Sequence, residues 1–407
     1  MTTLTDTKTT ADFIAEVDHY GAHNYHPLPV VIGRGEGAWV WDVEGNKFLD
    51  CLAAYSAVNQ GHRHPAILQA ARDQLDRLTL TSRAFHNDQM GPFLKLLCEV
   101  TGYEKVLPMN TGAEAVETAI KAVRRWGYRV KGIPREQAEI IVCHNNFHGR
   151  TTTIISFSDD PGSRGDFGPA TPGFPVIAYG DADELRAAIT PNTAAFLFEP
   201  LQGEGGVIVP PEGYLTEAAK ICRDHNVLLV ADEIQTGLGR TGKMFCCDWE
   251  GVRPDVMVVG KALSGGFYPV SAMLADAAVM DMFKPGDHGS TFGGNPLGAA
   301  IALAALRVIV DERLPERAQE LGSWLMAEIR KIGSPHVAEV RGKGLMIGIV
   351  IKRESGPARP FCEALMERGI LAKETHEQVI RLAPPLVVDR ADLEWALQHL
   401  REVLTRP

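Results

Sequence analysis

The chain lacks any apolar run long enough to cross a bilayer, any CxxC pair, any excess of basic charge, and any repeat or low-complexity segment. Each absence removes a class of function. A membrane-spanning helix needs about 20 consecutive apolar residues, and none are present. A formal net charge of −10, with no helix rich in Lys and Arg, argues against a general nucleic-acid binder and against a protein of anionic membranes. Seven cysteines are an odd number, two of them the neighbours Cys246 and Cys247, and they suit reduced thiols in a cytosol better than a disulfide framework. The amino end, MTTLTDTKTTADFIAE, has neither the apolar core of a secretory signal nor the arginine of a transit peptide, so a cytoplasmic location is expected. His23, His26, His62 and His64 have no carboxylate or cysteine at ligand spacing, so no metal site is expected. What remains is an ordinary globular composition: 407 residues, 45% apolar and 23% charged. That is enough for two or three domains' worth of core, and for partners that are small molecules or further copies of the chain.

Short runs at 105–109, 140–143, 195–198, 227–231 and 256–259 are apolar almost throughout rather than alternating, as strands buried on both faces are. Helix-length amphipathic segments lie between several of them, at 113–126 and 214–224. The pattern predicts an α/β fold with a largely parallel central sheet flanked by helices, whose ligands collect at the carboxyl ends of the strands. Outside this region the pattern changes. AWVWDVEGNKFLD reads as a hairpin turning at Glu44, Gly45 and Asn46; from about residue 295 long helices appear, then strands at 337–341 and 345–351 and a last helix at 391–404. The expected division is a large ligand-binding domain at 61–295 and a smaller α+β domain built from both chain ends, 1–60 and 296–407.

The stretch GLGRTGKM, residues 237–244, fits the first seven positions of a phosphate-binding P-loop. Met244 stands where that motif needs Ser or Thr, and no amphipathic helix follows, so a glycine-rich turn is the better reading. The strand ends are more informative. VLLVA stops at Asp232 and VMVVG stops at Lys261. A lysine in an apolar cleft loses solvation and becomes a usable nucleophile, and a carboxylate beside it can keep the ring nitrogen of pyridoxal phosphate protonated. Taken alone, Lys261 reads better as a solvent-facing loop lysine, a reading that the wider constellation reverses. In PMNTGAEAVETA, Thr111 and Glu114 form a capping box, which leaves the amides of Gly112 and Ala113 to open a helix and hold a phosphate, or simply to cap it.

Together with these, NTGAEAVE, NNFHGR, EPLQGEGG, ADEIQTGLGRTG, GKALSGG and HGSTFGGNP, in this order, resemble the class III aminotransferases of fold type I. The resemblance runs from about Tyr20 to the end of the chain. More narrowly, GAHNYHPLPV, DCLAAYSAVNQGHRHP, LTLTSRAF and IRLAPPL look like the branch that acts on ornithine. The resemblance implies pyridoxal 5'-phosphate as cofactor, carried by Lys261 as a Schiff base, with Lys261 also moving the proton. It places Asp232 on the pyridine nitrogen, Gln235 on the ring hydroxyl and Phe147 against the ring. Gly112 and Ala113 would hold the phosphate, joined by Ser290 and Thr291 from a second subunit of a homodimer. Arg150 would take a carboxylate, Tyr25 the α-amino group of ornithine, and Tyr55 would line the entrance. Glu204 would neutralise Arg381 while ornithine is bound and release it for glutamate or 2-oxoglutarate. From the residues alone, Phe147 also reads as core, Arg150 as surface charge, the tyrosines as packing, and Glu204 with Arg381 as a surface ion pair. Other class III enzymes, acting on acetylornithine or 4-aminobutyrate, remain alternatives, as does a noncatalytic binding module. Two departures from the family pattern, His148 after Phe147 and Gly205 after Glu204, are expected to touch no named role.

Overall fold

Strands apolar at nearly every position need cover on both faces, and helices supply it. The computed structural model describes residues 8–406; residues 1–7, part of the amino-terminal stretch read for leader signals, lie outside it. A seven-stranded sheet runs in the spatial order Lys105–Met109, Ser271–Ala275, Val256–Val259, Leu228–Asp232, Thr193–Phe198, Glu139–Cys143 and Val176–Ile177. Neighbours are parallel except around Ser271–Ala275, which is antiparallel to the strand on either side. All five strands read from apolar runs are in this sheet. Alternate residues of each strand serve opposite layers. Ile140, Val142, Leu197 and Val230 pack under Val116, Ala119 and Ile120 of the helix Gly112–Trp126, whereas Ile141, Phe196, Phe198 and Leu229 pack under Leu215, Ala218 and Ile221 of the helix Tyr214–Asp224.

The two ends of the chain meet. The antiparallel strands Ile32–Glu36, Trp39–Asp42 and Lys47–Asp50 form one sheet with Ile370–Leu371, which pairs parallel to the third. Asp42 Oδ1 accepts from the amides of Glu44 and Asn46 at 3.0 and 2.7 Å, which closes the hairpin where its Gly-Asn turn was expected. Trp39 donates to Asp392 at 3.1 Å and packs on Trp395 of the last helix, Arg390–Leu404. A further antiparallel sheet orders Val337–Lys343, Met346–Ile351, Val379–Leu382 and Lys373–Thr375.

The glycine-rich stretch 237–244 is a turn followed only by the short 3-10 turn Cys246–Glu250. Its Arg240 points inward, fully buried, and donates to the carbonyls of Leu345 and Pro384 at 2.9 and 2.7 Å and to Asn59 Oδ1 at 2.5 Å. The stretch joins the central sheet to both chain ends.

Candidate active site

The parallel strands open at their carboxyl ends onto a cavity of about 200 Å³, whose walls include Gly112, Phe147, Asp232, Gln235 and Lys261. Lys261 follows Val256–Val259 and starts a short 3-10 turn with φ at 42°, a left-handed conformation that costs a non-glycine residue of order 1–3 kcal/mol. Its side chain faces the cavity rather than bulk water. Burial there lowers the pKa of its ammonium, against the opposing pull of Glu204 and Asp232. Ile234 lies over Gly112 and Gly260: a methyl on Gly112 would stand 3.0 Å from Ile234 Cδ1. Bare backbone at residue 112 keeps the start of the helix Gly112–Trp126 open to the cavity. Its capping box is formed, with Thr111 Oγ1 accepting from the amide of Glu114 and the Glu114 carboxylate accepting from the amide of Thr111.

Asp232 ends its strand buried, and its Oδ2 is 2.7 Å from Nδ1 of His148, which is itself buried. Here the expectation for His148 fails. It stands at the end of a neighbouring loop, it orients the Asp232 carboxylate, and burial opposes its protonation while that hydrogen bond and charge raise its pKa overall. The other departure, Gly205, has a steric reason, since a methyl there would lie 2.8 Å from the Asn145 carbonyl oxygen. Glu199, missed by sequence reasoning, also lines the cavity. It directly follows the strand Thr193–Phe198 and accepts from the amide of Phe147 at 2.9 Å, and burial pushes its carboxyl up to about 7. Its signal was available: it is the first residue of EPLQGEGG and, like Asp232, an acidic residue at the carboxyl end of a buried parallel strand.

Glu204 and Arg381 meet at 2.5 Å, and the guanidinium is only 2% exposed, so the pair is no surface ion pair. Burial opposes ionisation of Glu204, but Arg381, Lys261 and the hydrogen bonds it accepts outweigh this and hold its pKa below the usual value. Gln235 Nε2 donates to the same Glu204 oxygen at 3.0 Å, and Arg381 stacks 4.9 Å over the ring of Tyr55. Tyr55 belongs to a left-handed turn, Ala53 to Ser56 all having positive φ. Asp50 holds that turn by accepting from the amides of Leu52 and Ala53, each at 2.9 Å. A vestibule of about 850 Å³ shares Phe147 and Glu204 with the cavity and adds Arg150, whose Nη1 donates to Ser163 Oγ at 2.9 Å.

Three expected residues stand apart. Tyr25 is 72% exposed. Ser290 accepts from Asn110 Nδ2 at 2.9 Å and from the amide of Gly293 at 3.0 Å, outside the cavity of its own chain, and Thr291 is exposed.

A model of the family described as aminotransferase class-III matches residues 20–404. The chain belongs to the class III aminotransferases. This aminotransferase is 59% identical over 391 residues to the ornithine aminotransferase of Brevibacillus brevis, covering 96% of this chain and 97% of that one. Among solved structures, it superposes on ornithine aminotransferase from Toxoplasma gondii with a TM-score of 0.97 at 46% identity, covering 98% of this chain and 95% of that one. It also superposes on acetylornithine aminotransferase from Elizabethkingia anophelis with a TM-score of 0.89 at 49% identity, covering 98% and 99%. The Toxoplasma gondii enzyme has been described with pyridoxal phosphate at partial occupancy in its active site. The cavity of this aminotransferase fits that group. It joins a desolvated lysine, a buried carboxylate and an open helix start, and the buried Gln235 Oε1 has no partner within the described residues, an acceptor free for a ring hydroxyl.

Proposed function

We propose that this pyridoxal-phosphate-dependent transaminase is an ornithine δ-aminotransferase, moving the δ-amino group of L-ornithine to 2-oxoglutarate. The products are glutamate and glutamate 5-semialdehyde, which cyclises to pyrroline-5-carboxylate. The buried Glu204–Arg381 pair carries the reading. A substrate that reacts through a terminal amine puts no carboxylate beside the reacting carbon, whereas glutamate does, and an arginine that a carboxylate can cover or uncover serves both. The names of relatives such as the Brevibacillus brevis enzyme favour ornithine; the 49% identity to an acetylornithine aminotransferase keeps that substrate as the second reading.

Pyridoxal phosphate, when bound, supplies an electron sink for the pair released at the substrate carbon. The chain's own groups do the rest. Lys261 Nζ, held less basic by burial, would carry the cofactor and move the proton. Asp232, fixed by His148, would keep a proton on the ring nitrogen. Gln235 would take the ring hydroxyl, Phe147 would lie against the ring, and the amides of Gly112 and Ala113 would hold the phosphate at a helix N-terminus. Arg381 binds the α-carboxylate of glutamate or 2-oxoglutarate once Glu204 releases it, and Arg150 binds the distal carboxylate, each as a planar fork. Tyr25 meets the α-amino group of ornithine, and Tyr55 lines the entrance.

Three further readings accompany this one. A second copy of the chain completes each site with its Ser290 and Thr291, a homodimer supported by Phe85, Phe267 and Phe292, which are 72%, 45% and 47% exposed in one chain. Residues 61–295 are taken as the large domain and 1–60 with 296–407 as the small one, supported by the sheet that both ends share. Unpaired cysteines at all seven positions suit the cytoplasm. The test is direct: purified protein with ornithine and 2-oxoglutarate should yield glutamate and the cyclised semialdehyde. Faster turnover of N-acetylornithine than of ornithine would refute the assignment in favour of the second reading.

A further inference from the structure

The segment carrying Tyr25 has little structure of its own to hold it. Between the helix Thr10–Tyr20 and the strand Ile32–Glu36 the backbone forms neither helix nor strand. Such a segment takes its position from side chains that bind its backbone. Two cations do so here. Arg359 Nη1 and Nη2 donate to the carbonyls of His26 and Pro27 at 3.1 and 2.9 Å, and Lys373 Nζ donates to the His26 carbonyl at 3.1 Å. Among the described residues, the other hydrogen bonds linking 22–31 to the rest of the chain lie near its ends, from the His23 ring to the Asp18 carbonyl and from the Val43 amide to the Val31 carbonyl.

The cations are themselves fixed. Glu374 Oε1 binds both, Arg359 at 3.3 Å and Lys373 more closely, and Glu363 accepts from Arg359 Nε at 2.7 Å. The Arg359 and Glu374 side chains are 17% and 20% exposed, enough burial for the pair to be screened less than a surface pair. Glu374 lies in the strand Lys373–Thr375, and the Thr375 hydroxyl donates to the backbone carbonyl of Glu204 at 2.6 Å. One short strand therefore binds both the backbone of Glu204, whose side chain is the switch carboxylate, and the Tyr25 segment. The Tyr55 phenol has its pKa raised by burial first and by Glu204 next, with Tyr25 and Glu374 adding to the effect. Tyr25 and Glu374 are thus within electrostatic reach of the Tyr55 ring that stacks under Arg381.

We propose that Arg359, Lys373 and Glu374 are positioning residues for ornithine specificity, clamping the backbone at His26 and Pro27 so that the Tyr25 hydroxyl meets the α-end of the diamino acid. This rests on the ornithine reading above. Glutamate, held at Arg381 and Arg150, does not use the clamp.

The test compares Arg359→Met, Lys373→Met and the conservative Arg359→Lys with wild type, all as holoenzyme. Single-turnover constants are measured for ornithine and for glutamate, and amide hydrogen exchange is measured over residues 22–31. Each Met variant should raise the KM for ornithine about tenfold, the equivalent of ~1.4 kcal/mol, with the glutamate half-reaction unchanged and the 22–31 amides exchanging faster. Arg359→Lys should recover part of the loss, and Arg359→Met should add little in a Tyr25→Phe background, because both act on one contact. Equal losses for both amino acids, unaltered exchange, or full additivity with Tyr25→Phe would overturn the clamp. Ornithine turnover with an unmoved KM in both Met variants overturns the clamp alone, whereas a wild type inert toward ornithine overturns the substrate reading and the clamp with it.

Discussion

Replacing Glu204 by alanine leaves the Arg381 guanidinium, 2% exposed, without its anion. Two consequences of opposite sign follow. Removing one partner of a buried pair costs about 3–5 kcal/mol of stability, and the lower end applies because the Glu204 side chain is 27% exposed and opens to the vestibule. A substrate carboxylate can then take the vacated position, and a hydrogen bond to a charged group contributes about 1.5–3 kcal/mol. At roughly 1.4 kcal/mol per factor of ten, that is about a ten- to hundredfold shift in preference toward an α-carboxylate beside the reacting amine. Glu204 is ionised at neutral pH, since Arg381 and its hydrogen bonds outweigh the burial that opposes its charge, so the comparison with wild type holds across the neutral range. The assay follows the cofactor's absorbance in single turnover with ornithine and with glutamate, for both proteins. The variant should speed the glutamate half-reaction relative to ornithine, and glutamate should raise its melting temperature more than it raises that of wild type. An unchanged ratio of the two rates, in a variant that folds and binds cofactor, refutes the switch.

Lys261→Ala should lower turnover by at least the roughly 10²- to 10⁴-fold expected for loss of general acid–base catalysis; near-normal steady-state rates without added amine would remove Lys261 from its role. Asp232→Asn keeps the shape at the ring nitrogen and removes the charge, so transamination should fall while cofactor binding, measured by absorbance titration, is partly kept; wild-type rates would exclude Asp232 as the ring partner. For Glu199, burial moves the folded pKa from 4.5 to about 7. The folded state then holds the proton more tightly than the unfolded chain, so stability from this group is full below pH 4.5 and is lost as pH rises to about 7, by roughly 3 kcal/mol. Glu199→Gln should therefore melt above wild type at pH 8 and converge on it toward pH 4.5, and a variant less stable at pH 8 would contradict the shift.

The central sheet was legible because burial on both faces leaves continuous apolar runs, as at 195–198, where every residue is buried. Ser271–Ala275 escaped notice: SAMLA is equally buried, but its small residues carry little signal, and its antiparallel direction follows from the turns around it and not from its composition. Val176–Ile177 is too short to read. Within the site, Lys261, Asp232 and the Thr111 cap could be found because each sits at a strand end next to a local pattern. His148 could not be weighed that way, since its partner Asp232 is 84 positions distant. Arg359 lies 333 positions from the carbonyl it binds at His26, and no periodicity in either segment announces the contact.

The glycines of 237–244 answer to packing and not to phosphate. Gly242, at φ 91°, lies against the helix Leu314–Lys331, where a methyl would stand 2.9 Å from Gln319 Cβ. Gly344, at φ 54°, faces Thr241 C and Gly242 N, where a methyl would be at 2.4 and 2.5 Å, and a methyl on Gly322 of the same helix would fall 1.8 Å from the Gly344 carbonyl oxygen. Helix, turn and loop thus touch backbone to backbone, with no side chain between them. Arg240 crosses this contact to the Pro384 carbonyl, three residues beyond Arg381, from a loop that begins just after Gln235. Among the described residues, its buried charge has no carboxylate partner within hydrogen-bond reach. Burial lowers its pKa to about 9, which leaves it protonated at neutral pH. A cation so placed contributes little net stability, because desolvation opposes its hydrogen bonds. What it does fix is register: Asp232 and Gln235 reach the cavity from the central sheet and Arg381 from the carboxyl-terminal sheet, and the 2.5 Å contact of Arg381 with Glu204 requires those two sheets to hold one relative position.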